Sequence, residues 1–159
     1  MPRLQHTAAV LLAAFALAIP CVHAASPSGA PAYDEAADAK AELATALAKA
    51  KASKKQVLVI FGANWCPDCR ALAQQMASEK VAKKLSRHFI VTKVEIGNWD
   101  HNMDIVNLYG NPTKKGIPAV AVLDSSGKLR KATSAGELAS ARTMGEADVL
   151  AVFDKLAAH

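Results

Sequence analysis

Residues 56–69 read Gln56-Val57-Leu58-Val59-Ile60-Phe61-Gly62-Ala63-Asn64-Trp65-Cys66-Pro67-Asp68-Cys69. Gln56 to Phe61 is an apolar run of β-formers, suited to a strand buried on both faces. Gly62-Ala63-Asn64 is a short turn. From Pro67 the pattern becomes helical, with Leu72 and Met76 and, after a kink near Ser78, Val81 and Leu85. Two cysteines therefore sit where a buried strand hands over to a helix, and the rest of the chain is read around that junction.

On the N-terminal side, Asp34 to Lys51 reads as an Ala-rich helix with Leu43 and Leu47 one turn apart. On the C-terminal side, Phe89 to Ile96 is a second strand. Asp100 is placed to cap a short helix carrying Ile105, Val106 and Tyr109. Gly110-Asn111-Pro112 breaks the pattern, and Lys114-Lys115-Gly116 is loop. Ala119 to Leu123 and Lys128 to Thr133 flank Asp124-Ser125-Ser126-Gly127 as a hairpin. Thr143-Met144-Gly145-Glu146 has the spacing of a capping box, opening a last helix to Ala157. A parallel βαβ unit followed by a hairpin and a helix makes an α/β fold on a mixed sheet.

Helical geometry gives Cys66-Pro67-Asp68-Cys69 a chemistry. With Cys66 as N-cap, Pro67 takes the first helical position, where its missing N–H costs nothing. The Cys66 sulfur then faces the free N–H groups of Asp68 and Cys69 and the positive end of the helix dipole, and both favour a thiolate. Cys69 is one turn deeper on the same face. An accessible thiolate with a sheltered partner is what dithiol exchange requires. Three other uses of the pair compete. A structural zinc site wants four ligands, and neither His88 nor His101 has ligand-like spacing to the cysteines. Two thiolates could hold Cu(I). A purely structural disulfide would gain little chain entropy from so short a loop.

Composition and charge narrow the classes further. Hydrophobic residues make up 52% of the 159, too many for a disordered tail. The length suits one domain of about 100–200 residues. No run of 18 or more apolar residues marks a membrane-spanning helix. Arg3 and His6 precede an apolar stretch, Ala8 to Ile19. Pro20 ends it, and Val22-His23-Ala24 offers a cleavage site, the layout of a secretory signal peptide. Cys21 directly after Pro20 fits a lipid-attachment signal poorly. The chain is thus divided into a signal peptide (1–24), a flexible leader (25–32) and one domain (33–159). Removing 24 residues and one arginine leaves 135 residues with a formal charge of +4. The lysine clusters at Lys49–Lys55, Lys83–Lys84 and Lys114–Lys115 are dispersed and lack interleaved aromatics, so nucleic-acid binding is not expected. Cys66 and Cys69 would be the two cysteines of the mature protein, in an oxidising or redox-managed compartment.

Several stretches together carry a resemblance. They are the strand Val57–Phe61, Trp65-Cys66-Pro67-Asp68-Cys69, the strand Val91-Thr92-Lys93-Val94-Glu95-Ile96 and Gly116-Ile117-Pro118-Ala119 before a hairpin. Over roughly residues 55–135 the sequence resembles the thioredoxin superfamily, specifically its exported bacterial thioredoxin-like branch. The resemblance implies a thioredoxin fold: a central mixed four-stranded sheet flanked by helices, here with an extra N-terminal helix. It implies that Cys66 is the nucleophile and Cys69 the resolving thiol, with their redox-active disulfide in place of any cofactor or metal. Pro118 should be cis and pack against the disulfide, the Ile117 backbone should bind an extended substrate segment, and Trp65 should form an apolar wall beside Cys66.

Pro67, Asp68, Lys93 and Glu95 would tune the ionisation of the dithiol. One position departs from the pattern. The family usually carries a buried acid six residues before the first cysteine, and here that position is Ile60. Lys93, the usual neighbour of that acid, remains. Cys69 is then expected to resolve slowly, or to pass its proton through Asp68 or Glu95, unless Glu95 simply pairs with Lys93. Asp68 beside the cysteines opposes a thiolate while favouring the helix N-terminus. On balance that predicts a reductant.

The expectation is an exported, periplasmic or secreted, thiol–disulfide oxidoreductase that reduces protein disulfides. Its partners would be protein thiols and disulfides and an unidentified electron-donor protein, with no nucleic acid and no membrane insertion after cleavage. Alternatives are a disulfide oxidase or isomerase, or a non-catalytic client- or metal-binding module. The long segment Ser134 to Arg142 is a surface loop that could shape specificity.

Overall fold

The computed structural model describes residues 31–157. The signal peptide over 1–24, the leader as far as residue 30 and the last two residues of the 33–159 domain lie outside them. The element order is α1 (Ala39–Ser53), β1 (Gln56–Gly62), α2 (Pro67–Met76), α3 (Glu79–His88), β2 (Phe89–Glu95), α4 (Met103–Leu108), β3 (Ala119–Leu123), β4 (Leu129–Ala132) and α5 (Glu146–Ala157). Short 3-10 turns at Pro112–Lys115 and Ala141–Thr143 precede β3 and α5.

The four strands form one mixed sheet in the order β2-β1-β3-β4. β1 runs parallel to β2, with Ile60 opposite Lys93, and antiparallel to β3, with Ile60 opposite Val120. Being central, β1 is buried from Val57 to Gly62, which is why the sequence there is a continuous apolar run rather than an alternation. α1 packs on β1 and β2, α3 packs on β2, and α2, α3 and α5 pack on one another. Phe61, Leu58, Leu72 and Phe153 lie in one hydrophobic cluster that runs from Tyr33 to Leu156. Each such side chain contributes about 1.5–3 kcal/mol on burial. This is a thioredoxin fold with an N-terminal helix.

The element ends differ from expectation where side-chain bonding decides them. α1 starts at Ala39 and not near Asp34, because Asp38 caps it, accepting from the N–H groups of Lys40 and Ala41, both at 3.0 Å. Asp34 instead closes a separate turn through the Ala36 N–H. The kink expected near Ser78 is a full break: Ser78 caps α3 with its hydroxyl. Asp100 does not cap α4. Its carboxylate accepts from the Asn98 N–H, and the cap position is Asn102 in a left-handed conformation. The Thr143–Glu146 capping box does not form. Gly145 and Asp148 make the bond two residues later, while Glu146 reaches Ser78 and Lys80. Just before the expected domain start, the Ala32 carbonyl accepts from the Lys93 amine at 2.8 Å, and Tyr33 is buried.

Candidate active site

The site sits where β1 ends. Gly62 closes the strand, Ala63–Trp65 turn, and Cys66 caps α2 in an extended conformation with Pro67 at the first helical position. Orphan N–H groups at a helix start need an acceptor, and the Cys66 sulfur provides it, accepting from the Cys69 N–H at 3.2 Å. The expected second bond, from Asp68, is not made. The Cys66 thiol donates to the Ile117 carbonyl at 3.5 Å. The Ile117–Pro118 peptide is cis, and it follows Gly116, whose φ of 111° is open to glycine. The 3-10 turn and the start of β3 thus bring Ile117 against Cys66 across 51 positions of sequence.

Both cysteines are free thiols and both are buried, Cys66 at 4% exposure and Cys69 at 0%. Burial pushes the Cys69 thiol far above the ordinary range. Its hydrogen bond with Cys66 adds to this, a backbone hydrogen bond with Ala63 works against it, and charge on Cys66 and Asp68 raises it further.

Trp65 stands half exposed beside Cys66, its indole N–H donating to the Gly97 carbonyl at 2.8 Å. Pro67 is exposed and Ile117 and Pro118 are buried, so it is the Ile117 backbone that meets the cysteine. Asp68 is buried beneath the segment 134–143. Its carboxylate accepts the Arg142 N–H at 3.0 Å and lies 3.8 Å from the Arg142 guanidinium. Gln75 fastens the same segment, donating to the Ala141 and Met144 carbonyls at 3.1 and 2.9 Å. The Ser134–Arg142 loop is therefore stapled to α2, one staple lying next to Cys69.

Lys93 and Glu95 do not pair. The Lys93 amine donates to Ala32, lies 5.7 Å from the Tyr33 ring centroid and is lowered by burial. The Glu95 carboxylate accepts the Gly97 N–H at 2.7 Å and faces His101 at 3.5 Å. Ile60 is fully buried opposite Lys93 and offers no proton carrier. Among the described residues, no three His, Cys, Asp or Glu side chains converge as metal ligands, and no helix is long and apolar enough to cross a membrane.

Sequence reasoning missed Tyr33, Asn64 and Arg142. Asn64 holds the Tyr33 backbone from both sides: its amide oxygen accepts the Tyr33 N–H and its amide nitrogen donates to the Tyr33 carbonyl, both at 2.9 Å. The Tyr33 ring then reaches Gly62, where a Cβ would overlap its hydroxyl and lie 2.9 Å from the Cys69 sulfur. A glycine ending a buried strand was the available signal, since it marks close approach of another group.

The Thioredoxin-like family model matches residues 38–125. A thioredoxin of Buchnera aphidicola subsp. Baizongia pistaciae is 39% identical over 74 residues, which span 46% of this chain and 61% of that protein. A solved disulphide isomerase from Xylella fastidiosa Temecula1 superposes with a TM-score of 0.75 at 45% identity, over 77% of this chain and 94% of that one. A thioredoxin from Thermus thermophilus, at 19% identity and a TM-score of 0.50 over 70% and 81% of the two chains, shares the fold.

Proposed function

Because the chain belongs to the thioredoxin-like family, we propose that it is an exported thiol–disulfide oxidoreductase whose redox group is the Cys66–Cys69 dithiol and whose direction is reduction. The observation that carries this is the position of the Cys66 sulfur. It accepts a helix-terminal N–H on one side and meets the Ile117 carbonyl, next to cis Pro118, on the other. A thiolate formed there gains that hydrogen bond and the positive end of α2.

The chemistry balances without a cofactor. The Cys66 thiolate attacks one sulfur of a substrate disulfide. A Cys66–substrate disulfide forms and the other substrate sulfur leaves as a thiolate, which takes a proton. Cys69 then gives up its proton and attacks the Cys66 sulfur. The second substrate thiol is released, the substrate is reduced by two electrons and the Cys66–Cys69 disulfide forms. A donor dithiol protein would restore the pair. In this reading Trp65 and the Ile117–Pro118 backbone hold an extended substrate segment. Pro67 starts the helix, and Asp68 keeps negative charge near Cys69.

The reducing direction rests on Asp68. The carboxylate of Asp68 beside the dithiol opposes a thiolate there, which disfavours the stabilised thiolate of a strong oxidant. Export to a periplasmic or secreted location rests on the sequence of residues 1–24. A second reading, disulfide isomerisation, is favoured by the 45% identity to the Xylella protein across nearly its whole length. Dithiothreitol-driven reduction of a disulfide-bonded test protein examines the proposal. Turnover lost in Cys66→Ser, with a trapped mixed disulfide in Cys69→Ser, supports it. Turnover unaffected by Cys66→Ser would sink it.

A further inference from the structure

We propose that the Tyr33 hydroxyl is the hydrogen-bond donor that positions the Cys69 sulfur and stabilises its thiolate during resolution, a role that rests on the oxidoreductase reading above. The need for such a group comes from burial. Cys69 is fully enclosed, yet it must lose a proton before it can attack the Cys66 sulfur. The acids nearby are committed elsewhere. Asp68 holds the Arg142 N–H, Glu95 holds the Gly97 N–H and faces His101, and Ile60 is apolar.

Tyr33 is built into the place that remains. It is 3% exposed although it precedes the first helix. Asn64, two residues before Cys66, clamps its backbone with the pair of 2.9 Å bonds, and Lys93 closes over its ring while bonding Ala32. Gly62 makes the room. The point where its Cβ would stand lies 2.9 Å from the Cys69 sulfur and 2.3 Å from the Tyr33 hydroxyl oxygen, so any larger residue would press on both. Hydroxyl and thiol thus lie against the same point beside Gly62, with no other side chain as near.

The phenol suits a donor and not a base. Burial first, then the charges of Cys69 and Cys66, the hydrogen bond to Cys69 and the charge of Glu95 hold its proton far more tightly than in water. It therefore remains O–H when Cys69 ionises. The charged and titratable groups around the pair are Cys66 and Asp68 on the α2 side, Glu95 and Lys93 on β2, and Tyr33 itself on the N-terminal segment. Lys93, with its amine on Ala32, anchors that segment.

The step stays balanced. The Cys69 S–H bond breaks and its proton passes to the departing substrate thiolate. The Cys66–Cys69 bond forms as the Cys66–substrate bond breaks. Tyr33 keeps its own proton throughout and its hydrogen bond shortens onto the developing charge.

The test is the pH dependence of Cys69 alkylation by iodoacetamide in the full chain carrying Cys66→Ser. Adding Tyr33→Phe, which deletes one oxygen, is expected to displace the curve upward by about one pH unit, a tenfold loss of thiolate at fixed pH. Resolution of a mixed disulfide on Cys66 should slow in Tyr33→Phe, while alkylation of Cys66 in a Cys69→Ser background should not change. Asn64→Ala, which leaves Gly62 and both cysteines in place but releases the Tyr33 backbone, should displace the curve in the same direction, and it decides the matter if Tyr33→Phe does not fold. A Cys69 curve that is unmoved, or moved downward, in the folded variant overturns the proposal. Failure of the underlying reading looks different: wild-type Cys66 would not exchange with a small disulfide reagent at all, whatever the Cys69 curve does.

Discussion

The carboxylate of Asp68 accepts the backbone N–H of Arg142 at 3.0 Å, joining the cysteine motif to a segment 74 residues away. Asp68 is therefore a structural acceptor and a source of negative charge at once, and the two roles separate by substitution. Asp68→Asn keeps an oxygen for the Arg142 N–H and removes the charge. Each unit by which the Cys69 thiol then falls gives about tenfold more thiolate and about threefold faster resolution, the difference being lost nucleophilicity. Mixed-disulfide release measured by rapid quench should thus accelerate; a slower release would make Asp68 the proton relay that the sequence alone allowed. Asp68→Ala also orphans the Arg142 N–H and should cost about 1–3 kcal/mol in urea unfolding.

Asn64→Ala removes two long-range hydrogen bonds to the Tyr33 backbone and one to Glu35. At about 1 kcal/mol each for the pair to Tyr33, unfolding stability should fall by about 1–2 kcal/mol. Residues 31–35 should become the first site of limited proteolysis. Unchanged stability with an unchanged cleavage pattern would mean the clamp does not hold the segment.

The Cys69 and Tyr33 protons are both bound more tightly in the folded state. A group raised on folding contributes stability that is full below its unfolded value and is lost as pH rises through its folded value. The window for Cys69 opens at about pH 8.5. Reduced protein should therefore lose melting temperature above that pH faster than a Cys69→Ala variant. Lys93, lowered by burial, favours the folded state as pH rises and acts equally in both proteins. Parallel melting curves from pH 7 to 10 would contradict the shift at Cys69.

Much of the fold was legible because β1 carries its burial in its composition: Val57 to Phe61 could hardly be anything but a central strand. Cys66 at the N-cap followed from Pro67 alone, since proline tolerates only the first turn. Helix starts were harder. Asp34, Asp38 and Asp100 are equivalent as letters, and only the local turn decides which one caps. The partners of the motif were illegible for a different reason. Arg142 and Tyr33 reach it through contacts 74 and tens of residues apart, and a lone tyrosine in a Pro- and Ala-rich stretch carries no period. The absence of an acid at position 60 was visible, but the tyrosine beside Cys69 was not.

The central claim is a reducing dithiol at Cys66 and Cys69. Its most direct measurement is the equilibrium reduction potential of the protein against a glutathione series, read by tryptophan fluorescence from Trp65, with a Trp99→Phe variant to remove the second indole. The account predicts a value near the thioredoxin level of about −270 mV. A value above about −180 mV would contradict it and identify an oxidase or isomerase instead.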